Sequence, residues 1–203
     1  AVSSGKPADS LSAITLTKQP AGVDTWRIAP DGKSVVFLSS DTVDTDERKR
    51  REARFTVNVR NAETPSVSLW SVPLPTASAT MPTAATPPAA TRLTRDAQLA
   101  VTNFTLSPDS RYVGFTATPY DRYKRNITEE GIYADVYLLD RQDGRVERLT
   151  QNDEVGESGL SFSPDSKWLA FSAPDDLTRY TMKNRRVYLR EVAASGGALR
   201  KLG

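Results

Sequence analysis

The chain contains no histidine and no cysteine among its 203 residues. Without histidine there is no usual general base, no imidazole metal ligand and no middle member of a Ser-His-Asp triad. Without cysteine there are no disulfides, thiolate metal sites or sulfur nucleophiles. No stretch approaches the ~18 apolar residues that read as a membrane span. The first residues, Ala1-Val2-Ser3-Ser4-Gly5, lack the basic and apolar regions of a signal peptide. A compartment is not assigned from this; a bacterial cytoplasm and a periplasm both fit. Charge of one sign is lacking too: 27 basic against 25 acidic residues give a net charge of +2, which argues against nucleic acid as the main partner.

What is present is a repeat. Trp26-Arg27-Ile28-Ala29-Pro30-Asp31-Gly32-Lys33-Ser34-Val35-Val36-Phe37 aligns without gaps with Phe104 to Phe115 and with Leu160 to Phe171. Apolar residues alternate on both sides of a Pro-Asp-Gly or Pro-Asp-Ser turn: Trp26 and Ile28 before it, Val35 and Phe37 after it, and likewise in the other copies. A period of two places one buried face on each strand. Proline presets φ, and the aspartate bonds the backbone two residues on. Each copy therefore predicts a β-hairpin, with Lys33, Arg111 or Lys167 at the exposed start of its second strand.

Two more strands follow each hairpin. The third strands are expected at Leu69-Val72, Val136-Leu139 and Val187-Arg190, and the fourth at Arg92-Thr94, Arg148-Thr150 and Lys201-Gly203. Asp143-Gly144 and Gly196-Gly197 suit the turns between them. Four antiparallel strands per repeat make a propeller blade. The expectation is an all-β chain, a partial β-propeller of about three four-stranded antiparallel blades with repeats of the TolB or WD40 kind. The blades are expected at 24–95, 102–151 and 158–203, after the end of a preceding blade at 12–17 that includes a strand Thr15-Leu16-Thr17. The steps from Pro30 to Pro108 and from Pro108 to Pro164 exceed the ~40–50 residues of common propeller repeats, so the loops are long. Propellers close with about four to eight blades. The expectation is a segment of a longer protein, or one completed by other chains.

The first blade carries two insertions. Residues 41–66 are charged, with a short helix expected over 45–53 and an extended Phe55-Val59 after it. Arg48 to Arg51 reads as an anion patch or as a solvated face neutralised by flanking acids, and the second is the expectation. No EF-hand pattern accompanies the spaced aspartates, so no metal and no cofactor are expected. Residues 73–90, rich in proline, alanine and threonine, cannot build a core.

Few residues carry site chemistry. Gly156-Glu157-Ser158-Gly159 lacks the last glycine of a Gly-x-Ser-x-Gly elbow, Leu160 standing in its place, and reads as an inter-blade turn. Glu129-Glu130 could hold a peptide's terminal ammonium, or begin a short helix capped by Thr128. Tyr120, Arg122, Tyr123, Lys124 and Arg125 precede them and read as loop packing or a substrate face. Trp26, Trp70 and Trp168 read as residues that pack blades together.

The three hairpins resemble the repeats shared by TolB-like proteins and by the prolyl oligopeptidase family of serine peptidases. Asp46-Glu52, Val57-Asn58-Val59 and Leu69-Val72 look like the loop and third strand of acylaminoacyl- and dipeptidyl-peptidase-like members. Ala134-Asp140 and Leu160-Asp165 are similar to later blades there. The resemblance spans roughly residues 12–203. It implies a propeller capping a separate α/β-hydrolase domain that holds the catalytic triad, so no catalytic residue falls in this chain. It implies a gating role towards peptide substrates, and it implies Glu129 and Glu130 as substrate-binding residues. Partners would be a peptide substrate and the hydrolase domain or further blades. The alternative is a non-enzymatic TolB-like scaffold that binds protein partners.

Overall fold

In the computed structural model the described residues are 15–41, 45–55, 66–75, 87–94, 99–119, 134–151, 155–177, 184–193 and 196–203. They form a partial β-propeller of three four-stranded blades. The first blade has β1 (Trp26–Ile28), β2 (Ser34–Ser40), β3 (Val67–Pro73) and β4 (Thr91–Arg92), with helix α1 (Thr45–Glu52) between β2 and β3. The second has β5 (Leu99–Leu106), β6 (Tyr112–Pro119), β7 (Asp135–Asp140) and β8 (Val146–Arg148). The third has β9 (Ser158–Phe162), β10 (Trp168–Pro174), β11 (Arg185–Glu191) and β12 (Arg200–Leu202). Within each blade, neighbouring strands pair antiparallel in sequence order. The first two blades also touch through one parallel pair, Val67 with Ala100.

Register turns the alternating pattern into two apolar faces per blade. In the second blade Phe104, Phe115 and Tyr137 lie side by side on one face, as do Leu106, Val113 and Leu139. They pack on Val36, Leu38 and Leu69 of the first blade. The opposite face offers Tyr112, Val136 and Leu138 to Leu169, Phe171, Ala173 and Tyr188 of the third blade. Phe115 stacks on Tyr137 at 5.1 Å, and Phe171 stacks on Tyr188 at 5.7 Å. Burial on both faces explains the unbroken apolar runs Tyr112-Val113-Gly114-Phe115 in β6 and Val136-Tyr137-Leu138-Leu139 in β7, against the simple alternation of a half-exposed sheet. Gly114 fits this seam because an added Cβ would stand 2.8 Å from Leu169 Cδ1.

The same rule leaves one face at each end without a neighbouring blade among the described residues. Trp26, Phe37 and Trp70, with Ile28, Val35 and Val72, hold the positions that Phe104, Phe115 and Tyr137, with Leu106, Val113 and Leu139, hold one blade later. Phe104 is 1% exposed, whereas Trp26 is 60% exposed. The tryptophans sit on strands but do not join blades among the described residues: Trp26 is largely exposed, Trp70 packs on Val35, Phe37 and Val72 of its own blade, and Trp168 lies 5.1 Å from the Arg200 guanidinium of its own blade. At the other end Val187 and Leu202 are the exposed pair.

Residues 15–19 form no strand, so the strand expected at Thr15-Leu16-Thr17 is not found among the described residues. Leu16 still packs on Val35, Phe37 and Val72. Leu93 and Leu149 do the same on the faces of the second and third blades. Each precedes a threonine whose hydroxyl caps the third strand: Thr94 Oγ1 accepts from Leu69 N at 3.2 Å, and Thr150 Oγ1 from Val136 N at 2.9 Å.

Candidate functional site

The Pro-Asp turns gather at one end of the blades, and those of the second and third blades are built alike. Ser107 Oγ accepts from Tyr112 N at 2.8 Å and donates to Asp109 Oδ1 at 2.5 Å, and that oxygen also accepts from Arg111 N at 3.0 Å. Ser163, Asp165, Lys167 and Trp168 repeat the arrangement in the third blade. These bonds hold the Asp165 carboxyl below its usual range, first through the Ser163 hydroxyl and then through the Lys167 N–H. Ser110 and Ser166 have φ of 63° and 61°, a region that Gly32 occupies freely at 69° in the first blade. Their hydroxyls explain the choice: Ser110 Oγ accepts from Asp31 N at 2.9 Å, and Ser166 Oγ from Asp109 N at 3.0 Å. Successive turns are therefore stitched blade to blade.

Beside this stitching lies a groove of about 810 Å³ between the first two blades, lined by Asp31, Lys33, Ser34, Asp109, Ser110 and Arg141 among others. It continues into a hollow of about 840 Å³ between β4 and β8. Thr91, Leu93, Arg141 and Gln142 line both. Arg141 leaves the β7–β8 turn and reaches across the seam. Its Nη1 donates to Ser110 O and its Nη2 to Ser34 Oγ, each at 2.8 Å. Burial pulls its pKa down, with Asp31 opposing from a distance. Arg111 is held differently, gripping Asp140 with Nε and Nη2. It is less free than its place at a strand start suggested, and it lies 4.8 Å from the centre of the Tyr112 ring. This grip keeps the Asp140 carboxyl below its usual range and raises Arg111 above its own.

At the opposite end each fourth strand brings a cation to a carboxylate near the loop that joins the second and third strands. Arg92 Nη2 meets Asp41 Oδ2 at 2.8 Å, Arg148 Nη2 meets Asp135 Oδ2, and Lys201 Nζ meets Asp175 Oδ1 at 2.9 Å. The Lys201 ammonium keeps Asp175 below the ordinary carboxylate range and is itself raised. These pairs close the blades and occupy charges that a ligand would otherwise need.

The fold has known counterparts. No family model matches the chain, and no curated protein matches it. Among solved structures it is similar to TolB from Acinetobacter baumannii, at 15% identity over 92% of this chain and 33% of that one, with a TM-score of 0.50. It is also similar to a chain from a structural and mechanistic study of two prolyl endopeptidases, at 11% identity over 88% of this chain and 22% of that one, with a TM-score of 0.51. Identities this low establish the propeller fold alone. The chain spans about a third of the TolB chain's length and about a fifth of the endopeptidase's.

Glu129 and Glu130 lie outside the described residues, as do Tyr120, Arg122, Tyr123, Lys124 and Arg125. The extended Phe55-Val59 is described only at Phe55. On α1, Arg48 faces Glu52 at 3.9 Å and Lys49 faces Asp46 at 4.0 Å, all well exposed, as a solvated helix face requires. Ser158 and Gly159 begin β9, and Ser158 Oγ accepts from Arg185 Nη2 at 3.0 Å. The serine thus belongs to a blade strand instead of a strand-to-helix elbow. Among the described residues no group of three or more acidic side chains could hold a metal, and no helix is long and apolar enough to cross a membrane. Arg141 has no signal in the sequence. Its partner Ser34 is 107 residues away, and only blade packing joins them.

Proposed function

We propose that this chain is the propeller part of a serine peptidase, limiting the access of short peptides to a separate α/β-hydrolase domain. The observation that carries the reading is helix α1, a charged eight-residue helix of about two turns inserted between β2 and β3 of the first blade. It falls where Asp46-Glu52 resembles the inserted loop of acylaminoacyl- and dipeptidyl-peptidase-like proteins. The chain has no histidine, so a Ser-His-Asp triad would have to be completed by residues outside it. On this reading Glu129 and Glu130 receive the substrate's ammonium by charge-assisted hydrogen bonds.

The test uses the natural gene product that carries this chain. A fluorophosphonate probe should label one serine outside residues 1–203, and the labelled protein should lose hydrolysis of aminoacyl or dipeptidyl substrates. Glu129→Gln should raise KM for free-amine peptides and leave N-blocked ones unchanged. A protein that takes no label and hydrolyses nothing overturns the reading.

The second reading is a scaffold that binds protein partners, favoured by the similarity to TolB over 92% of this chain. It predicts partner capture by the propeller with no serine-directed labelling.

A further inference from the structure

We propose that the groove between the outer strands of the first two blades binds an extended acidic peptide, with the Arg141 guanidinium receiving one of its carboxylates. The proposal does not depend on the peptidase reading.

A guanidinium carries five N–H donors. Arg141 spends one on Ser110 O and one on Ser34 Oγ, both neutral oxygens. Its remaining donors meet no protein acceptor among the described residues, and it forms no ion pair there. Of the other cations that line the groove, Lys33 is exposed at its rim and three arginines are already matched. Arg92 is bound to Asp41, Arg148 to Asp135 and Arg111 to Asp140. Asp31 and Asp109 also line the groove, but their Oδ1 atoms accept from N–H groups of their own turns. A half-buried guanidinium whose only carboxylate neighbour, Asp31, acts from a distance is costly to hold in place, and a carboxylate bonded directly to it reduces that cost. Arginine's planar fork suits a carboxylate better than it suits a single neutral acceptor.

The groove's shape selects a peptide over a small anion. It runs through two hollows of about 810 and 840 Å³ that meet at Arg141, and it is walled by Pro73, Leu93, Leu99 and Val146. Its flanks are β4 and β8, each paired on one side only among the described residues. An outermost strand presents unpaired N–H and C=O groups to an extended chain. Side chains of such a chain alternate in direction, so a carboxylate at Arg141 sets neighbouring apolar side chains against Leu93 and Val146.

The test compares two blocked heptapeptides, one alternating leucine with glutamate and one alternating leucine with glutamine. Titrations are read by calorimetry and by the backbone amide resonances of the protein. The glutamate peptide should bind at least tenfold tighter and shift the amides of Thr91, Leu93 and Gln142. Arg141→Gln should reduce the preference to below threefold. Lys33→Gln changes an exposed lysine at the groove whose ammonium has no partner among the described residues. It should lower the preference about twofold to threefold without loss of fold. Equal binding of the two peptides overturns the proposal, as does a preference that survives Arg141→Gln. Inorganic phosphate that reproduces the same shifts at equal concentration shows a small-anion site and also overturns it. Should Arg141→Gln unfold, as circular dichroism would reveal, the Lys33→Gln result decides, and an unchanged preference there is fatal.

Discussion

Arg190 of the third blade meets Glu147 of the second across their seam, Nη2 to Oε1 at 2.6 Å, and Arg190 is only 1% exposed. The same Oε1 accepts from Gly196 N at 3.0 Å, and Arg190 Nη1 donates to Glu191 O at 2.7 Å. An arginine thus lies among Leu169, Phe171 and Tyr188 because a neighbouring blade supplies its counter-charge.

Removing one partner of this pair leaves a buried charge. Glu147→Ala should cost about 3 kcal/mol in urea denaturation. Replacing both partners by leucine should recover most of that loss. Equal costs for single and double replacements would show that the charges are not coupled.

The seam between the second and third blades has no room at Gly114. Gly114→Ala places a Cβ 2.8 Å from Leu169 Cδ1 and 3.1 Å from Cδ2, and Leu169 is fully buried. The expected cost is about 1–3 kcal/mol. Leu169→Val in the same chain should relieve part of it, giving a non-additive double-mutant cycle.

The turn serines separate two effects. Ser166→Ala keeps the strained positive φ and loses the bond from Asp109 N, so a loss of about 1 kcal/mol is expected. Ser166→Gly loses the same bond and relieves the strain, so it should be milder. Thermal midpoints in the reverse order would refute the role given to the hydroxyl.

Asp140 links stability to acid. Its folded pKa is lowered, chiefly by the hydrogen bond from Arg111. A lowered carboxyl pKa stabilises the fold above the unfolded value of about 3.9, and that contribution drains away as pH falls through the folded pKa. The stability difference between the wild type and Asp140→Asn should therefore be full at pH 6 and shrink below about pH 4. A difference independent of pH would mean that the charge of Asp140 does not contribute.

Equivalent positions should behave unequally. Phe104→Ala empties the first seam and should cost about 3–5 kcal/mol. Trp26→Ala stands at the corresponding place on the open face and should cost under about 1 kcal/mol, because an exposed side chain has little burial to lose. Similar costs would show that the open face is covered.

The amino-acid sequence by itself determined the repeat: the three hairpins, the order of four strands, the β7–β8 turn at Asp143-Gly144 and the helix near residues 45–53. Those follow from period-two alternation and turn chemistry, which act over a few residues. The tertiary structure decided which alternating face meets which. It turned Trp26 outward while burying Phe104, joined Asp109 to Ser166, and set Arg141 between Ser34 and Ser110. Such contacts depend on one sheet stacking on the next, and no local spacing encodes the distance between residues that only stacking brings together.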